Sequence, residues 1–160
     1  MEELKFEKLL FNTAICVMAC DGEIHDREIQ ELKLIAKNTP YFKDLDYQTE
    51  LDTIMKKIKN NTNIMKQYFE EIKAVELSPV QELLILEVVL RMMYADNRID
   101  ENEVKLIRII KSYLKIPDQI IFERFGKIDF LIKGYDEIDQ QASSDNFPKI
   151  EFTEINKQLK

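Results

Sequence analysis

The chain has 160 residues, 45% of them hydrophobic and 33% charged, which is enough apolar side chain for one well-buried core. Three glycines and four prolines are too few turn residues for a β-sandwich or a doubly wound sheet, so composition points to an all-α domain. A net charge of −7 excludes a general nucleic-acid partner, because neutralising phosphates takes a clustered excess of Lys and Arg.

In chain order, the apolar residues Phe6, Leu9, Leu10, Ala14, Val17 and Met18 follow the i, i+3, i+4 rhythm of an amphipathic helix over 6–20. A second helix is predicted over 26–37, with Ile29, Leu32, Leu34, Ile35 and Ala36 as its apolar set and Pro40 helping to end it. Weaker patterns at 47–59 and 63–76 are separated by Asn60, Asn61 and Thr62. The basic run Lys56, Lys57 and Lys59 reads as a solvated helix face. Ser78-Pro79 reads as an N-cap followed by proline at the first helical position, opening the most apolar helix, 79–95. Further helices are expected at 101–114 and 117–125.

The helical domain is therefore expected over residues 1–125, with 126–160 as a C-terminal extension or loosely docked tail. Within that tail, Lys149 to Phe152 alternates polar and apolar residues, as a short extended piece does. No secretory signal is expected, since Glu2 to Lys8 alternates charged and apolar residues. The longest apolar stretch, Leu83 to Met93, is broken by Glu87 and Arg91 and is too short to cross a bilayer. Two cysteines do not make a disulfide scaffold, and a cytoplasmic location is the expectation.

Two segments match at a spacing of 75 residues: Asp21-Gly22-Glu23-Ile24-His25-Asp26-Arg27-Glu28-Ile29 and Asp96-Asn97-Arg98-Ile99-Asp100-Glu101-Asn102-Glu103-Val104. The spacing also pairs Leu32 with Ile107, Leu34 with Ile109 and Ile35 with Ile110, so the unit is a duplicated helix–turn–helix. Gly22 and Asn97 are residue types that readily take a left-handed backbone and end a helix. The next helix starts at a cap, His25 or Asp100, with Glu28 or Glu103 placed to complete a capping box. Ile24 with Ile29, and Ile99 with Val104, sit as hydrophobic staples.

The pattern Asp-Gly-x-Ile-x-x-x-Glu is also the second half of an EF-hand loop, but the first and third ligand positions are Val17 and Ala19 in one copy and Met92 and Tyr94 in the other. A looser metal site from Asp21, Glu28, Asp96 and Glu103 requires the turns to pack side by side, with a cation relieving their repulsion. Cys16, Cys20 and His25 lack a fourth zinc ligand, and free cysteines commonly serve as small buried apolar residues. With a single histidine at a helix cap and no phosphate-cradling glycine loop, no catalytic or cofactor-binding constellation is legible.

The repeated acidic turn on paired helices resembles the TerB-like family of tellurite-resistance proteins, and the related N-terminal domain of a membrane-anchored DnaJ-type co-chaperone shares the pattern. The resemblance spans about Phe6 to Lys115 and rests chiefly on Ala19–Leu32 and Tyr94–Ile107. It implies an all-helical fold with two pseudo-repeated halves. It also implies that acidic turn positions, here Asp21, Glu28, Asp96 and Glu103, contact metal ions. Members are linked to tellurite, phage and chemical-stress resistance, often within larger complexes near the membrane. The chain departs from the pattern in having Asn97 for the second glycine and a tail after Phe125.

The expectation is a non-catalytic binding or scaffold module, metal-responsive through a divalent cation and partnered by other proteins. It has no transmembrane segment, and peripheral membrane association stays open. The alternatives are a carboxylate-rich metal-dependent enzyme, and a helical interaction module whose tail docks on a partner. The distance between the two turns separates these readings.

Overall fold

The computed structural model describes residues 2–20, 24–60, 63–95 and 99–131. Among them the regular structure is helical throughout: α1 (Glu2–Ala19), α2 (Asp26–Asn38), α3 (Tyr47–Lys59), α4 (Ile64–Ala74), α5 (Pro79–Met93), α6 (Glu101–Tyr113) and α7 (Asp118–Phe125), then a 3-10 turn at Asp129–Leu131. The all-α expectation holds, and α2, α5 and α6 begin at the caps legible in the sequence, His25, Ser78 and Asp100, while α3 and α4 begin at caps that the sequence reading does not name. Asp46 accepts from Thr49 N at 3.3 Å, and Asn63 accepts from Lys66 N at 3.0 Å. Ser78 and Gln81 form a full reciprocal box at α5, Ser78 Oγ accepting at 3.2 Å and Gln81 Oε1 at 2.9 Å.

The architecture follows from α1 and α5. Every residue from Thr13 to Met18 in α1, and from Ile85 to Met93 in α5, is buried. A helix buried all round must lie in the core rather than on the surface. The single apolar stripe expected for α1 is therefore too narrow, because Phe11, Ile15 and Cys16 are buried beside the residues that define it. α1 packs on α5 and α4, α2 and α6 pack on α5, and α4 closes against α6. Thr13 in α1 and Tyr68 in α4 share a buried hydroxyl–hydroxyl hydrogen bond of 2.7 Å. Phe69 in α4 meets Tyr113 in α6 with ring centroids 6.0 Å apart.

The flanking helices are amphipathic. In α2 Leu32 and Ile35 are buried, and in α6 their repeat partners Ile107 and Ile110 are buried too. Leu34 does not belong to the apolar face: it is exposed, as is its partner Ile109. Two residues past Leu32 is about half a turn around the helix, so Leu34 faces away from the core. The matching exposure shows that the two units share helical phase as well as residue type.

The core extends beyond residue 125. Ile128, Phe130 and Leu131 are buried, and the 3-10 turn packs on α6. Gly126 makes this continuation possible, with φ 81° and ψ −175°, a conformation open essentially to glycine, while its N–H bonds Phe122 O at 2.8 Å. The alternation at Lys149–Phe152 lies outside the described residues.

A Cβ added at Gly126 would meet nothing within 4 Å, so replacing it tests backbone strain alone. Gly126→Ala is expected to lower unfolding stability by about 1–2 kcal/mol, read as an earlier urea midpoint at unchanged m-value.

Candidate functional site

The two acidic turns are the residues the sequence singles out, and the structure assigns part of their chemistry. Glu28 stands at the third position of α2, where its Oε1 accepts from His25 N at 3.2 Å. Glu103 does the same in α6, with Oε1 accepting from Asp100 N at 2.9 Å, while Asp100 Oδ1 accepts from Asn102 N at 2.7 Å. Both glutamates are buried, and each negative charge lies at a helix N-terminus, where exposed amides favour it. Ile24, Ile29, Ile99 and Val104 are half-buried against the core, as staples require. Asp21 and Asp96, with Gly22 and Asn97, lie outside the described residues.

A divalent cation such as calcium takes six or more oxygen ligands. Glu28 and Glu103 each commit one oxygen to a cap, and among the described residues no three His, Cys, Asp or Glu side chains gather as a metal would need. The described residues do not by themselves make a cation site. Cys16 is buried in the core, where burial pushes its thiol up to about 12. Cys20 donates its thiol proton to Val17 O at 3.2 Å.

Three buried carboxylates escape the sequence reading. Glu7 and Glu82 occupy equivalent positions in the two units, 75 residues apart, and do the same work. Glu7 Oε1 accepts from Asp44 N at 2.8 Å. Glu82 Oε1 accepts from Lys115 N at 3.0 Å and Ile116 N at 2.8 Å. In each unit the first helix thus holds the backbone where the chain leaves the second. Carrying the repeat back towards the N-terminus was the available signal, though the partners are backbone amides and leave no pattern of their own.

The third is Glu87, which is fully buried in α5. Tyr41, in the loop after α2, donates its hydroxyl to Glu87 Oε2, and Arg91 Nη2 stands 3.5 Å from Oε1 one turn along the helix. Burial raises the Glu87 carboxyl above its usual range, against the lowering effects of the Tyr41 hydroxyl, Arg91 and Arg124. Burial likewise raises Tyr41, reinforced by Glu87. At the repeat spacing, Glu87 and Arg91 correspond to Asn12 and Cys16, so this ion pair belongs to one unit only. It is sealed from solvent and holds α5 to the loop leaving α2.

A family model described as Tellurite resistance protein TerB matches residues 9–123, from within α1 to within α7. The chain belongs to the TerB family. No curated protein and no solved structure matches it. The TerB match covers both helix–turn–helix units and both acidic turns. It also takes in Glu82 and Glu87, whereas Glu7 falls just before it. Among the described residues no helix is long and apolar enough to cross a membrane.

Glu82→Ala is expected to lose about 1.5–3 kcal/mol, because it strips a charged acceptor from the Lys115 and Ile116 amides. Glu82→Gln, which keeps an accepting oxygen, should lose less in the same denaturation series. Arg91→Met removes the counter-charge one turn from buried Glu87 and should cost up to about 3–5 kcal/mol at neutral pH. Without Arg91 the folded-state pKa of Glu87 rises further, so stability is present below its unfolded pKa and falls as pH climbs through the folded value. The Arg91→Met penalty should therefore be smaller at pH near 5 than at 7 by thermal denaturation; equal penalties would refute the coupling.

Proposed function

We propose that this TerB-family domain is a non-catalytic binding or scaffold module, with a divalent cation as the ligand class of its acidic turns and other proteins as its partners. The observation that carries the reading is how the buried carboxylates are used. Glu7, Glu28, Glu82 and Glu103 accept backbone amide protons, and Glu87 is enclosed with Tyr41 and Arg91. Groups engaged in holding backbone segments are poorly placed to exchange protons with a substrate, because their lone pairs and desolvation already serve the fold. In the capping scheme, Asp21 and Asp96 are repeat acids to which the capping box gives no task. We assign them the cation contacts, and we assign the module a role in tellurite or chemical-stress resistance within a larger cytoplasmic assembly.

Calorimetric titration of the full chain with calcium, zinc and manganese tests the cation assignment. Binding should also raise the unfolding free energy by about 2.7 kcal/mol at a hundredfold excess of ion over its Kd. The double variant Asp21→Asn with Asp96→Asn should lose the heat of binding while keeping its ion-free melting temperature. Glu28→Gln should instead lower that melting temperature by weakening a cap. Absence of heat and of any melting shift at millimolar ion would remove the cation from the proposal and leave the scaffold reading.

A further inference from the structure

A groove of about 690 Å³ lies between α1 and the segment that joins α4 to α5. Its floor is apolar: Leu9 is buried, Phe6 and Leu77 are half-buried, and Val75 stands beside them 40% exposed. The joining segment is extended, with φ −89° and ψ 143° at Val75 and φ −73° and ψ 161° at Ser78. Among the described residues, the main-chain N–H and C=O groups of Val75, Glu76 and Leu77 bond to no other backbone group. All three residues line the groove, which therefore carries an unpaired extended edge where another strand can add.

We propose that this groove receives an extended segment of a partner protein, paired along Val75–Leu77 and carrying a Lys or Arg between two apolar residues. The choice of residues follows from alternation. In an extended chain Val75 and Leu77 point to one side and Glu76 to the other, and cross-strand neighbours share a side. The added strand therefore sets apolar residues beside Val75 and Leu77, and a cation beside Glu76. Charge favours the same occupant, because Glu71 and Glu76 both line the groove and neither is in an ion pair among the described residues. Desolvation raises the Glu71 carboxyl above its usual range, and a cation brought near offsets that cost. Across the groove Lys8 is engaged with Glu50 at 3.8 Å, which leaves Lys5 as the unpaired lining lysine against two acids. A second copy of the chain would have to approach against a net charge of −7 on each molecule. The proposal deepens the scaffold reading and rests on it, supplying the partner's chemistry and the face it meets.

The test is an amide-resonance titration of the full 160-residue chain with the peptide acetyl-Thr-Ile-Lys-Ile-Thr-amide. The expected result is displaced resonances at Phe6, Leu9, Val75, Glu76 and Leu77. The counterpart peptide with Glu for Lys should bind about tenfold more weakly. N-methylation at its two Ile residues, which removes main-chain donors, should weaken the Lys peptide by at least about fivefold. The double variant Glu71→Gln/Glu76→Gln should keep the melting temperature of the parent and lose the preference for Lys over Glu. Groove amides that ignore millimolar peptide would overturn the proposal, as would equal binding of the Lys and Glu peptides. Peptide-induced shifts confined to other faces would strike the groove and keep the scaffold reading. Groove shifts that grow with protein concentration in the absence of peptide would make a second copy the occupant and overturn the proposal.

Discussion

Over their C-terminal turns α1 and α5 have almost no face to offer water. From Thr13 to Met18 and from Ile85 to Met93 each residue is buried, so both helices must be surrounded. The amphipathic helices supply the enclosure: α2 and α6 against α5, and α4 across α1 and α6. This constraint also fixes where polar groups become expensive, since any polar side chain on α1 or α5 must find a partner inside. Thr13 finds Tyr68, and Glu87 finds Tyr41 and Arg91. These polar contacts of the interior are consequences of burying long stretches of two helices on every side.

The same constraint explains the paired glutamates at the start of each unit. A chain that leaves the second helix of a unit must turn back across the enclosed first helix, and its backbone amides lose water there. Glu7 takes up Asp44 N on one side, and Glu82 takes up Lys115 N and Ile116 N on the other. A carboxylate is a stronger acceptor than a neutral side chain, and one acid can satisfy two adjacent amides, as Glu82 does. Burial raises Glu7 even so, the Asp44 amide acting against it, which shows that desolvation is only partly offset.

How much of this was legible depends on whether a feature is local in sequence. Ser78-Pro79 and Asp100-x-x-Glu103 announce α5 and α6 because capping is settled within four residues. The bond from Tyr41 to Glu87 joins residues 46 positions apart, and nothing local to either marks the other. Leu34 shows the limit of counting apolar residues without fixing their angle, since it sits between Leu32 and Ile35 and still faces outward. The helical pattern fades beyond Gly126, so the sequence places the domain boundary there. Gly126 instead redirects the chain so that Phe130 enters the core. Of the candidate acids, the capping role of Glu28 and Glu103 was readable, whereas the clamping role of Glu7 and Glu82 depends on amides that any residue provides.

The two units are alike where they build helices and differ where they meet each other. Leu32 and Ile107, Ile35 and Ile110, Glu28 and Glu103, and Glu7 and Glu82 keep the same jobs in both. Asn12 and Cys16 in the first unit, however, stand where the second has Glu87 and Arg91, and the partner that Glu87 recruits, Tyr41, comes from the exit loop of the first. A duplicated scaffold with identical interiors could pair its units in more than one way. One buried charge that is satisfied only when a particular loop lies across it removes that ambiguity, because any other pairing leaves Glu87 desolvated and without its hydroxyl donor. On this argument Glu87 contributes specificity of assembly more than net stability.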